Sequence, residues 1–406
     1  MHCAILTRQI GHYHNARFRA AAARFSSVTV ISCAGEGYFS EFSAKAFDGY
    51  VVRTLSESRT DYSEKVKSGD FMNHVISALN EVRPDIVVAP GWASAESFAA
   101  LMWARDNKVP SIVMAESQQD DADRAWSKEL IKSHVVRQFD AGIAGGRSTK
   151  SYLVELGLPA EYVTLGYNAV DNAHFAKGAK LARSEPRVAK KKHGLPERFF
   201  LASGRFIEKK NFPELVRAYA VAHASAGVKL PDLIILGDGA ERPSISRAIT
   251  ETGMADHIRL VGYCDYDILP IYYGLSEGFV HIPTREQWGL VINEAMAAGV
   301  PVIVSTCCGA TRTLLRAGKG GFKVDPSNRS EISSALVRLA LLTSKERATI
   351  SDDARDAVAD WGPERFGRGL VGAAKFALKR PRRPPLRAWD RALLRRMGRR
   401  VFTDVE

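Results

Sequence analysis

Two short apolar runs, Gly278-Phe279-Val280-His281-Ile282 and Val300-Pro301-Val302-Ile303-Val304, bracket a helical stretch that opens near Gly289 and stops at Gly299. Each run is too short for a helix and reads as a buried strand. A helix between two strands carries the chain back so that the strands pair in parallel, and parallel sheets need helices on both faces. The segment therefore commits this part of the chain to a helix-covered α/β fold. It also carries two acids. Glu286 sits in the loop at the first strand's carboxyl end, and Glu294 sits eight residues on, on the helix. Open α/β sheets bind ligands in the crevice outside the carboxyl ends of their strands. A carboxylate pair by itself is more often a solvated helix face, so the surrounding text carries the weight.

The same alternation recurs along the chain. Cys3–Leu6, Val28–Ser32, Asp85–Ala89, Ser111–Ala115 and Gly142–Ala144 read as strands, with helix-length segments between them. The loop Thr7–Asn15 precedes an Ala- and Arg-rich helix over Ala16–Phe25. Further strands are expected at Phe199–Gly204, Asp232–Leu236, Ile258–Val261 and Gly318–Val324. At 406 residues the chain exceeds one ordinary core and suits two domains. A hydrophobic share of 46% and a charged share of 25% are those of a globular protein. No apolar run approaches the ~18–20 residues of a membrane span, and Met1–Thr7 lacks the pattern of a signal peptide. The cysteines, Cys3, Cys33, Cys264, Cys307 and Cys308, have no metal-ligand spacing, which fits a reduced, cytoplasmic setting.

The net charge is +12, and ten Lys/Arg against the single acid Asp390 fall between Lys379 and Arg400. A basic surface attracts polyanions, including anionic lipid. Peripheral contact with the inner face of an anionic membrane through residues 381–406 is one expectation; a merely solubilising tail is the other. No specific nucleic acid is expected.

The text Glu286-Gln287-Trp288-Gly289-Leu290-Val291-Ile292-Asn293-Glu294-Ala295-Met296-Ala297-Ala298-Gly299-Val300-Pro301-Val302 resembles the donor-sugar signature of retaining glycosyltransferase family 4. A second phrase, Gly204-Arg205-Phe206-Ile207-Glu208-Lys209-Lys210-Asn211, resembles the family's diphosphate-holding turn. Leu236-Gly237-Asp238-Gly239 and Val261-Gly262-Tyr263 are weaker matches. The resemblance covers the second half strongly and the first loosely. It implies an α/β fold of two Rossmann-like domains (GT-B) whose parallel sheets face an interdomain cleft. The expected parts are an acceptor-binding domain at 1–172, a linker at 173–197, whose charged stretch Lys177–His193 reads as a mobile connection, and a donor domain at 198–362. A helix at 363–380 would cross back to the first domain, ahead of a basic tail at 381–406.

The resemblance also implies roles. Arg205 and Lys210 would hold the donor's diphosphate, where charge and directional donors are both needed. Glu294 would accept from the ribose hydroxyls and Glu286 from a hydroxyl of the transferred sugar. The helix opening at Trp288, Gly289, Leu290 and Val291 offers backbone N–H groups to a phosphate. Gly237 and Tyr263 fall where the family closes around the donor, with backbone groups reading the base. In the N-terminal loop only Gly11 stands where many relatives have two glycines, and backbone approach to the diphosphate is expected there. His12, Tyr13 and His14 are candidates to face the acceptor. Glu116 stands where many relatives carry His beside the reacting sugar; a carboxylate there would bond sugar hydroxyls, stabilise charge at the anomeric carbon or accept a proton. Asp120, with Asp121 and Asp123, either binds a polar acceptor or is a solvated loop.

The expectation is thus a retaining, metal-independent enzyme that moves a sugar from a nucleotide-diphosphate sugar to a hydroxyl acceptor, with no cofactor beyond that co-substrate. A sugar-nucleotide epimerase on the same fold, and a non-catalytic basic membrane- or nucleic-acid-binding protein, are the alternatives.

Overall fold

The computed structural model describes residues 1–35, 49–122, 124–315 and 319–400. The expectations that touch Asp123, Gly318 and residues 401–406 fall outside them. The chain divides into two compact units, one formed by Met1–Ala169 with Pro363–Glu406 and the other by Val170–Gly362.

The first unit is a seven-stranded parallel sheet in the order β3-β2-β1-β4-β5-β6-β7. Its elements in chain order are β1 (His2–Thr7), α1 (His12–Ala22), β2 (Ser27–Ser32), β3 (Val51–Thr54), α2 (Arg59–Ser68), α3 (Phe71–Val82), β4 (Ile86–Ala89), α4 (Ala95–Asp106), β5 (Ser111–Ala115), α5 (Trp126–Val136), β6 (Ala141–Ala144), α6 (Arg147–Glu155) and β7 (Val163–Leu165). Strands β1, β4, β5 and β6 are buried almost throughout, which is why their text is continuous apolar runs rather than alternation. The order reverses between β1 and β4, so the turns leaving these two strands part to opposite faces of the sheet.

The second unit is a six-stranded parallel sheet in the order β10-β9-β8-β11-β12-β13. It begins with α7 (Asn172–Ser184) and α8 (Pro186–Lys192), followed by β8 (Phe199–Ser203), α9 (Phe212–Ser225), β9 (Asp232–Leu236), α10 (Arg242–Glu251), β10 (Ile258–Gly262), α11 (Leu269–Leu275) and β11 (Gly278–His281). Then come α12 (Leu290–Ala297), β12 (Val302–Ser305), α13 (Gly309–Leu314), β13 (Gly321–Val324), α14 (Arg329–Ala340) and α15 (Ser344–Val358). Here the order reverses between β8 and β11. The strands that open the two best-matched phrases are therefore neighbours at the switch point.

Three expectations change. His12–Asn15, read as loop, forms the first turn of α1, so His12, Tyr13 and His14 are helical. The stretch read as a mobile linker is largely the two helices α7 and α8, and α7 packs on α11 and α12 through Phe175, Ala179 and Ala182. The basic C-terminal stretch is not a free tail. Helix α16 (Pro363–Lys379) packs on α1 and on β6 and β7, and α17 (Ala388–Met397) packs on α4. Leu386 and Leu394 enter the first unit's core, Arg105 Nε donates to the Pro384 carbonyl at 2.9 Å, and Arg391 pairs with Asp106.

Removing 381–406 would therefore uncover core. Leu394→Ala is expected to cost about 2–4 kcal/mol of stability by cavity formation, read as a lowered urea midpoint of the first unit. An unchanged midpoint would show that α17 is not docked.

Candidate functional site

The candidate residues fall into two groups, one in each unit. In the second unit the loop after β8 and the loop after β11 are laced together. Thr284 N–H donates to the Lys209 carbonyl at 2.9 Å, and the Asn211 side chain donates to the Ile282 and Pro326 carbonyls at 3.3 and 3.0 Å. Asn211 takes the left-handed conformation with φ 61° to turn the chain into α9, which leaves its amide pointing across to β11. This lacing brings Lys210 Nζ onto Glu286 Oε2 in a largely buried ion pair.

Glu286 is held further by His281, whose Nε2 lies 3.2 Å from the same carboxylate oxygen. Burial pushes the Glu286 carboxyl up, but the Lys210 ammonium and the His281 bond outweigh it and hold the group well below the usual carboxylate range. Burial, together with the Lys210 charge, lowers the His281 pKa despite its bond to Glu286. The ring is thus neutral, and it must carry its proton on Nε2 to donate to an ionised carboxylate. His281 was not singled out in the sequence. The signal available was a lone imidazole at the carboxyl end of an otherwise apolar strand.

The backbone around Glu286 is fixed as well. Its carbonyl accepts from Gly309 N–H at 3.3 Å, and the Trp288 carbonyl accepts from Ala310 N–H at 3.0 Å. Gly289 caps α12 with φ 93°, a conformation costly for any other residue, and a Cβ there would lie 3.4 Å from Glu286 Cγ. Leu290 and Val291 open the helix. Trp288 is buried; its indole donates to Asn293 Oδ1 at 2.8 Å and packs against Trp361 in a tilted pair with centroids 4.8 Å apart, so the side chain braces the loop. Glu294 is 1% exposed and takes a 2.7 Å bond from the Tyr273 hydroxyl, which orients its carboxylate.

Arg205 is exposed just after Gly204, and the Lys210 stem lies over Gly204. Gly237 has φ 131°, and a Cβ there would run into the Gly204 carbonyl. The glycine is thus required by the packing of the β9 turn on the β8 turn, where Gly204 N–H donates to the Leu236 carbonyl at 3.1 Å. Tyr263 follows Gly262 at the end of β10 and is exposed. Just beyond it, Asp265-Tyr266-Asp267 opens α11: the Asp265 carbonyl accepts from Ile268 and Leu269, and Tyr266 stacks on His174 at 4.4 Å. Among the described residues no three His, Cys, Asp or Glu side chains gather as a metal-holding group.

In the first unit Gly11 caps α1 in extended backbone and donates to His14 Nδ1 at 3.3 Å. A Cβ on Gly11 would make only an ordinary 3.7 Å contact with that nitrogen, so the protein itself does not demand glycine there. Burial, and then the Arg17 charge, pushes the His14 pKa down to about 3. Its lone pair is thus available to accept. His12 and Tyr13 share this first turn. Glu116 leaves β5, and its carbonyl accepts from Thr149 Oγ1 at 3.0 Å. Burial, the Glu116 charge adding to it, pushes the Tyr167 hydroxyl up. Asp120 is exposed, while its neighbour Asp121 accepts from Gln118 N–H at 3.0 Å and pairs with Arg124.

Residues 185–357 match the family described as glycosyl transferases group 1. A D-inositol 3-phosphate glycosyltransferase of Thermomonospora curvata is 26% identical over 61% of the chain and 60% of its own length, so the match spans less than two thirds of that relative. A GDP-mannose-dependent alpha-(1-6)-phosphatidylinositol monomannoside mannosyltransferase of Mycobacterium tuberculosis is 31% identical over 74% of the chain and 85% of its own length. Among solved structures, a Rickettsia africae glycosyltransferase is similar with a TM-score of 0.74 at 17% identity, covering 94% of this chain and 99% of that one. Anabaena HepE in complex with UDP has a TM-score of 0.71 at 17% identity, covering 91% and 98%. At such identities these likenesses show the fold: two parallel-sheet α/β domains of the GT-B type.

The folded-state pKa of Glu286 lies below its unfolded value of ~4.3. Its stabilising contribution is therefore fully present above that value and is lost as pH falls toward the folded pKa. Glu286→Gln is expected to cost about 3 kcal/mol near neutrality. In urea unfolding, the gap from the parent should narrow as pH drops from about 7 to about 3. A gap independent of pH would mean that Glu286 is not ionised against Lys210.

Proposed function

Since the chain belongs to the glycosyl transferases group 1 family, we propose that it transfers a sugar from a nucleotide-diphosphate sugar to a hydroxyl acceptor. The observation that carries this reading is the buried Lys210–Glu286 pair at the carboxyl ends of β8 and β11, the two strands at which the second unit's sheet reverses order. Ligands of open α/β sheets sit at such switch points. Membership of the family favours this reading over an epimerase or a non-catalytic binding protein.

In this reading the donor's diphosphate lies against Arg205 and Lys210, whose charge offsets what builds on the leaving group without a metal ion. The arriving phosphate competes with Glu286 for the Lys210 ammonium. Glu286, kept ionised by its surroundings, turns to a hydroxyl of the sugar, while His281 holds the carboxylate in place. A hydroxyl bound by a buried carboxylate discriminates strongly, because its loss leaves the charge unpaired. Glu294, oriented by Tyr273, takes the ribose hydroxyls. The backbone from Trp288 to Val291 and the turns at Gly237 and Tyr263 complete the donor side. Gly11 is proposed as a further ligand-facing position, its unneeded absence of a Cβ supporting close approach of a ligand to the backbone there. The complexes of HepE with UDP and with UDP-glucose support a nucleotide-sugar donor.

The acceptor side is proposed at His12, Tyr13, His14, Glu116 and Asp120, with Glu116 beside the reacting carbon. Transfer proceeds with retention, the leaving phosphate taking the acceptor's proton. The protein works in the cytoplasm, with peripheral contact to an anionic membrane face; no helix among the described residues is long and apolar enough to cross a membrane.

The test starts from a screen of uridine, guanosine and adenosine diphosphate sugars for turnover by the purified protein. With the active donor, Glu286→Ala is expected to lose two or more orders of magnitude in rate, roughly the scale of ~3 kcal/mol, while nucleoside-diphosphate binding persists. The product's anomeric configuration by NMR should match the donor's. Full activity in the variant would refute the role of Glu286, and an inverted product would refute retention.

A further inference from the structure

Helix α5 is buried only at its end, through Val135 and Val136. Its other apolar side chains face outward: Trp126 is 78% exposed, Leu130 61% and Ile131 39%. Trp126, Leu130 and His134 stand at i, i+4 and i+8 and so form one stripe along the helix. The stripe does not end with α5. The His134 ring packs against Trp389 of α17 in a tilted pair with centroids 4.7 Å apart, and His134 Nε2 lies 2.6 Å from Asp390 Oδ1. Trp389 is itself 52% exposed. Single exposed apolar residues are normal on a surface, but two tryptophans and two aliphatics in one continuous run mark an interaction face.

Exposed cations gather beside the stripe: Arg387, Arg395, Arg396, Arg399 and Arg400 on and around α17 are exposed. Arg396 follows Trp389 and Leu393 at the i+7 position, on the face that carries Trp389. The nearby acids are already engaged: Glu129 accepts from Lys132 at 2.7 Å and from the Tyr152 hydroxyl at 2.6 Å, and Asp390 is held by His134. A soluble polyanion needs the cations and not the outward Trp and Leu. A hydrophobic protein partner needs the apolar stripe and not the unbalanced positive charge. A bilayer with anionic headgroups uses both, because Trp and Leu insert at the headgroup boundary while Lys and Arg stay among the phosphates.

We propose that the stripe Trp126–Leu130–His134 on α5, continued by Trp389 on α17 and rimmed by the α17 arginines, is the face by which the protein rests on an anionic membrane surface. The proposal deepens the peripheral-contact reading above and depends on none of the donor-site assignments. It also moves that contact from a charged tail to a folded, amphipathic surface.

The test uses the full chain and sedimentation with vesicles of phosphatidylcholine, alone or mixed with phosphatidylglycerol. Trp126→Ser with Leu130→Ser changes only outward side chains, and Arg395→Gln with Arg396→Gln removes charge without touching the core. The parent is expected to bind the mixed vesicles and not the neutral ones. The apolar double variant should lose about tenfold or more in partitioning. The arginine variant should lose binding at low salt and differ little from the parent at high salt. Undiminished binding by the apolar variant would overturn the proposal and leave bulk charge as the cause. So would unchanged vesicle binding together with a shift from dimer to monomer in light scattering, which would make the stripe an interface between copies. Nucleoside-diphosphate binding measured on the same samples should be equal in all variants; its absence throughout would count against the donor reading alone.

Discussion

The Lys210–Glu286 ion pair is the contact on which the arrangement of the donor half depends. Burying two charges costs several kcal/mol each unless geometry and further hydrogen bonds compensate. Here the compensation is visible. His281 donates to the carboxylate, the two loops are joined by the Thr284–Lys209 backbone bond and the Asn211 side chain, and the glycine at 289 lets the helix start close against the Glu286 stem. Such a pair is a poor device for stability alone, since well-packed apolar residues of the same volume are often as stable. It is a good device for presenting one cation and one anion, each already desolvated, to a ligand that needs both.

The pair can exist because of sheet order. Strands β8 and β11 are separated in sequence by α9, β9, α10, β10 and α11, yet they are hydrogen-bonded neighbours, and their carboxyl ends point the same way because the sheet is parallel. Ligands of open α/β sheets bind outside the carboxyl ends of strands in this position, and here the loops that follow the two strands are laced together. Burial then sets the chemistry. The same desolvation that lowers the His281 pKa makes the Lys210 charge strong enough to keep Glu286 ionised.

Much of this was legible in the sequence. The apolar runs at 278–282 and 300–304 are too short for helices and too bulky for loops, and they emerged as β11 and β12 around α12. The coincidence of Arg205, Lys210, Glu286 and Glu294 with a known signature marked four positions, and the fold brings Lys210 and Glu286 into contact. What was not legible follows from weak local signals. Strand β3 is four residues at a sheet edge and β7 only three, too few for a period to register. The first turn of α1 was hidden by a Gly-His-Tyr-His-Asn text that favours a loop. Charge concealed α17: its arginines dominate the composition around the two leucines that dock it, Leu386 and Leu394. His281 was missed because a strand reading counts it as a gap in an apolar run.

The claim that the second unit holds a nucleoside diphosphate through Arg205 and Lys210 is tested most directly by calorimetry with uridine, guanosine and adenosine diphosphates. The account predicts that one of the three binds the parent protein and that the Arg205→Ala, Lys210→Ala double variant, still folded, no longer binds it. Binding of none of them to the parent, or equal binding to the double variant, would contradict it.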